Sequence, residues 1–505
     1  FAYANHADLN KRVTGNFEQQ PVAIILDLIF ENTNLTFKEI AGKITLYEVS
    51  KKEKKPQKAT IHGYIYDQQS GERLVNANVY NPSSQEGVIS NHFGFYSYSA
   101  TIGKVQLIVS YMGYQSKIVE FELRSDSVIN IPIDAKYDEI QEVTVVGNQN
   151  RQIENTQMSK VDMPLQKIKE VPVIFGEADV LKVIQLLPGV QAGVEGTSGI
   201  YVRGGGADQN LFLLDGVPVY NPGHLLGIFS VFNPEALKSV ELYKGAFPAR
   251  YGGRLSSVVD INMKDGNMQE LKGDFTIGLI ASKFTLEGPI KKGKTSFMIS
   301  GRRSYADLLA QPFLAVLNKN DQRYKMNGLA FFHDLNFKLN HIFSDRSRLY
   351  WSFYHGRDKG KLSQVTTVRN DKSEIIEQLD DKFGLEWGNT ISSVRWNYLI
   401  SPRLFSNTTL TYSKYQFDIF SNDSYHQYYN NSIEKEYFGY DSGIDDIAAK
   451  IDFDYFPASR HTVKFGTSYI NHNFTPGVTA FKFSNTENLT AASDTIFGNS
   501  NVYAN

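Results

Sequence analysis

The sequence predicts a mainly β protein: a small α/β module, a β-sandwich and an α+β domain, followed by an antiparallel transmembrane β-barrel. Three observations carry this prediction. From about Leu271 onward polar and apolar residues alternate, as in Lys450-Ile451-Asp452-Phe453-Asp454-Tyr455, a period of two that sends successive side chains to opposite faces of a strand. The connections between these runs are short at one end and long and polar at the other, the signature of an outer-membrane barrel. Aromatic residues are in excess, with 29 Tyr and 33 Phe beside only 3 Trp, and they gather near strand ends where interfacial girdles would lie.

Composition narrows the function classes. At about 150 residues per domain, 505 residues hold three or four domains. A net charge of -2 with a pI near 6.6 leaves no basic footprint, so a dedicated nucleic-acid binder is excluded. The absence of cysteine removes disulfides, thiolate catalysis, zinc fingers and iron–sulfur clusters. No uninterrupted apolar run approaches the length of a membrane helix; the best, Val22 to Phe30, is broken by Asp27. A barrel escapes that test, because its strands alternate.

Residues 1–50 read as a helix starting at Pro21 to Leu28, then two short strands, Leu35–Phe37 and Lys43–Tyr47. Lys51 to Lys55 with Pro56 is a solvated charge run, and 51–58 is a linker. From 59 to 136 about seven short alternating runs, such as Ile61 to Tyr66 and Gly94 to Tyr98, are separated by turn clusters, which predicts a small β-sandwich. From 151 to 264 a helix at Ala178 to Leu187 is stopped by Pro188-Gly189. Glycine-dense turns and the strands Leu211–Leu214, Ser239–Tyr243 and Ser256–Met263 follow, with Asp215-Gly216 as a turn signal. This is a compact α+β domain.

Residues 265–505 predict about eight strands: Leu271–Gly288, Thr295–Tyr305, Gly328–Ile342, Arg348–His355, Lys382–Ile400, Leu404–Phe420, Ile444–Phe456 and His461–Phe474. Tight turns are expected at 291–294, 343–347, 401–403 and 457–460, and long polar loops at 306–327, 356–381 and 421–443. Tyr350, Trp351, Tyr354, Trp396, Phe405, Tyr455 and Phe456 are the expected girdle residues.

Five ordered motifs between Asp179 and Lys264 resemble the plug domain of TonB-dependent outer-membrane receptors of the Bacteroidetes type. They are Leu187-Pro188-Gly189-Val190, Tyr201-Val202-Arg203-Gly204-Gly205, Leu213 to Tyr220 with Asp215-Gly216 inside it, Glu241-Leu242-Tyr243-Lys244-Gly245, and Arg250-Tyr251-Gly252-Gly253-Arg254. The sandwich resembles the carboxypeptidase regulatory-like extension that precedes such plugs and is not an enzyme. The first segment resembles the second half of a secretin-and-TonB N-terminal module. At 246–249, Ala-Phe-Pro-Ala departs from the SusC-like branch, so an obligate lipoprotein lid is not implied.

The resemblance implies a location in the cell outer membrane with the N-terminal domains in the periplasm, and it implies function. Glu142, Val143, Thr144, Val145 and Val146, within the flank 137–150, resemble a TonB box. An extended β-prone segment there can add as a strand to a periplasmic partner. The same five residues also fit the last strand of the sandwich; their place just ahead of the plug favours coupling. Arg203, Glu241, Arg250 and Arg254 are expected to pair with barrel-wall carboxylates and to hold the plug until it is pulled, with pairing inside the domain as the alternative. Tyr220, Asn221 and His224, the loop Ala192 to Ser198, and the cluster around Tyr425 and His426 are candidate substrate contacts. A lone loop histidine is more often a satisfied surface residue than a ligand, and the clustered tyrosines fit loop packing equally well.

No His-Glu-x-x-His, Gly-x-Ser-x-Gly or P-loop pattern is present, so no enzyme, cofactor or metal is expected. The leading expectation is TonB-dependent active transport of a scarce nutrient, the small ligand being a siderophore, oligosaccharide or peptide. The alternatives are a surface receptor signalling through an anti-sigma factor, or an accessory barrel bound to other envelope proteins. The lipid of the outer membrane is the remaining partner. Plugged transporters have about 22 strands, so the sequence predicts a partial barrel completed by strands beyond this chain, with half a signalling module missing in front.

Overall fold

The computed structural model describes residues 2–3, 14–15, 17–31, 35–40, 42–48, 57–136, 160–163, 165–171, 177–193, 199–320, 323–485, 493–497 and 502–504. Two compact units are present, Phe1–Lys58 and Ala59–Asn505. In the first, helix Val22–Phe30 precedes an antiparallel hairpin of Leu35–Ile40 and Lys43–Glu48. Leu26 and Leu46 supply its buried apolar contacts.

The second unit opens with the sandwich, two four-stranded sheets. Lys58–Asp67 pairs with Ser127–Val128, Ile131–Ile133 and Phe95–Thr101, while the facing sheet runs Glu86–Ile89, Asn78–Asn81, Gly103–Ser110, Lys117–Leu123. Ile61, Ile65, Val79, Tyr96, Leu107, Val109 and Ile133 form the core between them. Next comes a five-stranded mixed sheet in the order Lys160–Met163, Leu237–Lys244, Ser257–Met263, Asn210–Leu214, Val217–Pro218. Helix Val180–Gln185 packs on it, capped by the Asp179 carboxylate, which accepts the amides of Leu181 and Lys182. The helix is shorter at both ends than the apolar spacing suggested: Asp179 caps its start, and it ends at Leu186, two residues ahead of Pro188.

From Lys272 onward the strands form one antiparallel sheet, almost every one paired to the next in sequence. It contains Lys272–Ile277, Ala281–Lys291, Thr295–Ser304, Tyr324–Ser344, Ser347–Arg369, Ile375–Ser401, Leu404–Gln427, Ser432–Ala458, His461–Asn485 and Ser493–Phe497, with Val502–Ala504 also on His461–Asn485. Among the described residues its first and last strands do not pair. Among the described residues no helix is long and apolar enough to cross a membrane; crossing belongs to these strands.

Four expectations are corrected, one strand and three loops. The single strand expected at 271–288 is two, broken at 278–280. Two of the long polar loops are instead strand: 356–381 and 421–443 continue the ladders and close in tight turns at 370–374 and 428–431. Beyond the bilayer both faces of a strand meet water, so polarity there does not distinguish strand from loop. The third, 306–327, folds into helix Ala306–Asn320, whose Asn318 holds the Met326 amide and carbonyl.

The expected girdle is also divided. Trp351, Trp396 and Tyr455 are exposed on the outer face, whereas Tyr350, Tyr354, Phe405 and Phe456 are buried inside. Tyr350 and Trp351 are sequence neighbours on one strand, as are Tyr455 and Phe456, so neither pair can share a face.

The link from the mixed sheet into the barrel turns at Gly266, φ +84, where a Cβ would lie 2.4 Å from the Phe297 carbonyl oxygen. Gly293 has φ +69 but open space around it. Gly266→Ala is therefore expected to lower stability by about 2 kcal/mol or more, and Gly293→Ala by only the left-handed backbone cost of about 1 kcal/mol. Thermal unfolding of the two variants side by side measures the difference.

Candidate functional site

The mixed domain meets the barrel wall through a polar seam. Alternation places Asp334, Lys338, Ser352, Tyr354, Asp358, Asn389, Ser413 and Asp446 on one side of their strands, and all are buried. Against them lies the stretch from Asp215 to Ser230. Asp215-Gly216 forms a two-residue hairpin turn with φ of 49 and 79 between Leu214 and Val217, the geometry that Asp-Gly suits. The turn presents the Asp215 carboxylate to Lys338 Nζ at 3.1 Å and Ser352 Oγ at 2.6 Å. Its carbonyl accepts from the Arg395 guanidinium at 2.8 Å. Lys338 also reaches Asp265 at 3.1 Å and the Met263 carbonyl at 2.9 Å.

Further along, Ser413 Oγ donates to the Pro218 carbonyl and Trp387 Nε1 to the Gly223 carbonyl, while Asn389 pairs with the Tyr220 amide and the Asn221 carbonyl. The Tyr220 hydroxyl donates to Asp446, which also holds His472 at 2.6 Å. His224 ends the series. Its Nε2 lies 2.7 Å from Asp334 and its Nδ1 2.5 Å from Asp358, with the Phe332 ring stacked on it at 4.3 Å. Asp334 further accepts from Arg302 and Tyr354. Burial pulls the His224 pKa down, but the two carboxylates more than offset this and hold it at about 9. A carboxylate at each ring nitrogen makes His224 an imidazolium, with both N–H groups donating.

This placement corrects two expectations. His224 is a buried interface cation at 1 % exposure, neither an exposed ligand contact nor a surface residue. The plug residues Arg203, Glu241, Arg250 and Arg254 have no ion pair with a wall side chain among the described residues. Arg203 is exposed, and Arg254 donates to the Gly253 carbonyl. Arg250 lies 3.5 Å from Asp260 and against the Tyr251 hydroxyl, and its carbonyl accepts from Lys450. Glu241 pairs with Lys160 at 3.0 Å and accepts from Tyr243 and Asn76. Burial raises the Glu241 pKa, but His92 and Lys160 outweigh it, leaving the carboxyl below its ordinary range. The wall instead supplies both signs, Lys338 and Arg395 toward Asp215, and Asp334 and Asp358 toward His224.

Lys244 donates to the Pro188 carbonyl. Gly204 and Gly205 follow strand Ile200–Val202, Gly245 follows Leu237–Lys244, and Gly252 and Gly253 lie between Tyr251 and Arg254. Tyr220, Asn221 and His224 stand together, whereas Tyr425 and His426 do not join them. They lie twelve residues beyond Ser413 on the same strand, about 40 Å away at the strand rise. His426 lies against Tyr428 there, ring centroids 3.9 Å apart and tilted by 30°. Glu142 to Val146, and residues 194–198 of the other candidate loop, lie outside the described residues.

The sequence reading did not anticipate the seat of the sandwich. Phe93 and Phe95 stack on Phe405 at 5.5 and 5.3 Å, and Arg403, beside the turn after Ile375–Ser401, donates to Thr60 at 2.8 Å. Asn91 reaches Asp454 at 2.9 Å, and Arg460 meets Glu86 at 2.7 Å. The sandwich thus rests against the short-turn rim of the sheet. The inward-facing residues of each strand were legible from alternation, but their partners were not.

Residues 140–259 match the family model of the TonB-dependent receptor plug domain, and 61–146 that of the CarboxypepD_reg-like domain. These two adjoining matches, with the relatives below, mark residues 61–259 as the regulatory-like and plug domains of a Bacteroidetes-type TonB-dependent receptor. Similar curated proteins include TonB-dependent receptor SusC of Bacteroides thetaiotaomicron, 28% identical over 227 residues, covering 42% of this chain and 21% of SusC. SusC comes from the branch whose pattern the sequence leaves at 246–249. The ferrienterobactin receptor of Escherichia coli is 32% identical over 141 residues, 24% of this chain and 18% of that protein. The crystal structure of the ferric yersiniabactin uptake receptor FyuA from Yersinia pestis matches at 14% identity and a TM-score of 0.35, covering 69% of this chain and 61% of that one. The chain spans about a fifth of the length of the curated relatives it matches. As a receptor of this family it resides in the outer membrane, with its plug and N-terminal domains toward the periplasm, and the family consists of receptors rather than enzymes.

Proposed function

We propose that this receptor carries a scarce nutrient across the outer membrane, its plug being moved by a TonB-type partner that pairs with Glu142 to Val146. The polar seam between plug and wall supports this reading. An interface built on Asp215–Lys338, His224–Asp334 and Tyr220–Asp446 contacts exchanges its hydrogen bonds for water when it opens. An apolar interface of the same size would have no such substitute. Force applied upstream of Lys160–Met163 would reach the edge strand of the plug sheet, which pairs with Leu237–Lys244. Strand addition is the recognition mode suited to a Glu-Val-Thr-Val-Val segment.

Ligand contact falls to Tyr220 and Asn221 on the plug and to the projecting hairpins that carry Tyr425 and His426. A siderophore, an oligosaccharide or a peptide fits this chemistry. Deleting residues 142–146 is expected to abolish energised uptake in cells while ligand binding to the purified receptor survives. Undiminished uptake would remove the coupling assignment.

A second role, signalling through an anti-sigma partner, is favoured by the separate compact unit Phe1–Lys58. Removing residues before Lys51 would then silence ligand-dependent transcription and leave transport intact. Unchanged transcription in that variant would leave transport as the sole role.

A further inference from the structure

A small cavity of about 20 Å³ lies where the sandwich, the plug and the barrel wall meet. The sandwich contributes Arg73 and His92, the plug Lys238 and Asp265, and the wall Lys338 and Arg395. Its charges do not balance. Asp265 serves both lysines, at 2.8 Å from Lys238 and 3.1 Å from Lys338. Glu72 adds a contact to Lys238 at 3.6 Å and Asp215 one to Lys338 at 3.1 Å.

The arginines have no such partner. Among the described residues no carboxylate ion-pairs with Arg73, with Arg395, or with Arg348 close behind them. Each carries a buried N–H without an acceptor: NH1 of Arg73, NH2 of Arg348 and Nε of Arg395. Arg73 is 6 % exposed and faces the Tyr64 ring, 3.3 Å away, with Asp265 acting on it only through space, beyond ion-pair distance. Burial pulls the Arg73 pKa down, and the neighbouring Arg348 pulls it further. A guanidinium does not neutralise itself by losing its proton, so uncompensated positive charge stays buried here at a cost.

We propose that this three-way cavity is a binding site for a single small inorganic anion of halide size, held by Arg73 and Arg395. The volume admits about one water-sized occupant, the size of a halide ion. The site is complete only while the sandwich is seated, since Arg73 comes from the sandwich and Arg395 from the wall. Anion binding and sandwich docking therefore stabilise one another by the same factor. The anion acts as a pin holding the sandwich against the plug and the short-turn rim.

The test follows thermal unfolding of the whole chain in detergent, in gluconate buffer at constant ionic strength, as chloride, bromide or inorganic phosphate replaces gluconate. Chloride and bromide are expected to raise Tm saturably by about 3 °C, and phosphate to leave it unchanged. Arg73→Met should lose the halide response and, in gluconate, melt no lower than the unsubstituted protein, because an uncompensated charge has gone. Where Arg73→Met does not fold, Arg395→Met carries the same comparison. A Tm indifferent to the anion, an equal rise with phosphate, or a halide response retained in the variant overturns the proposal. Anomalous density from bromide between Arg73 and Arg395 is the direct confirmation, and its absence from bromide-grown crystals refutes the site.

Discussion

Replacing His224 with leucine is expected to destabilise the seated plug by about 3–5 kcal/mol, the cost of stranding buried charge when one partner of a pair is removed. The imidazolium is the sole cation within ion-pair distance of Asp358 among the described residues, at 2.5 Å. Asp334 would keep Arg302 at 2.6 Å, so the loss falls mainly on the Asp358 side. Differential scanning calorimetry of the purified receptor measures it, and protease sensitivity of the plug reports where the opening occurs. The same contact carries a pH signature. The His224 pKa is raised from its ordinary 6.5 to about 9 in the folded protein. A raised value favours folding when the group is protonated, so its contribution is complete below about pH 6.5 and is lost as pH rises through 9. Stability of the unsubstituted receptor should therefore fall across that window, and His224→Leu should flatten the fall. A variant that keeps the full pH slope would assign the slope to other groups.

Lys338→Met is expected to cost a similar amount, about 3–5 kcal/mol, for a different reason. Lys338 is buried at 3 % exposure and ties the plug turn and the plug-to-barrel link to one wall strand, through Asp215, Asp265 and the Met263 carbonyl. Methionine fills the volume but, among the described residues, leaves the Asp215 carboxylate with only Ser352 and the Met263 amide as donors. Adding Asp215→Asn removes that stranded charge, so the double variant should be more stable than Lys338→Met alone. Equal or lower stability in the double variant would mean that the two residues are not coupled.

Some of this architecture is legible locally. The Asp215-Gly216 turn, the stop at Pro188-Gly189 and the tight barrel turns are decided by residues adjacent in sequence, through backbone preferences that act without tertiary context. Alternation likewise announces the barrel strands, and ordered motifs announce the plug. Where water replaces lipid, the same alternation loses its contrast, which is why the projecting ends of Ser347–Arg369 and Ile375–Ser401 read as loop. The girdle residues were misread for a related reason: clustering along the chain ignores which face each residue takes, and Tyr350 and Trp351 take opposite ones.

The sequence by itself determined the order of domains' characters, the period-two pattern of the membrane strands and the positions of the sharp turns, because those depend on neighbours a few residues apart. Only the tertiary structure decided which charge meets which. His224 finds Asp334 and Asp358, 110 and 134 residues away, and Asp215 finds Lys338 at a separation of 123. Arg250, outwardly as good a candidate for the wall, stays with Asp260 inside its own domain. Pairing across a seam depends on strand register and on the seating of one domain against another. Those are properties of packed surfaces, and no local spacing encodes them.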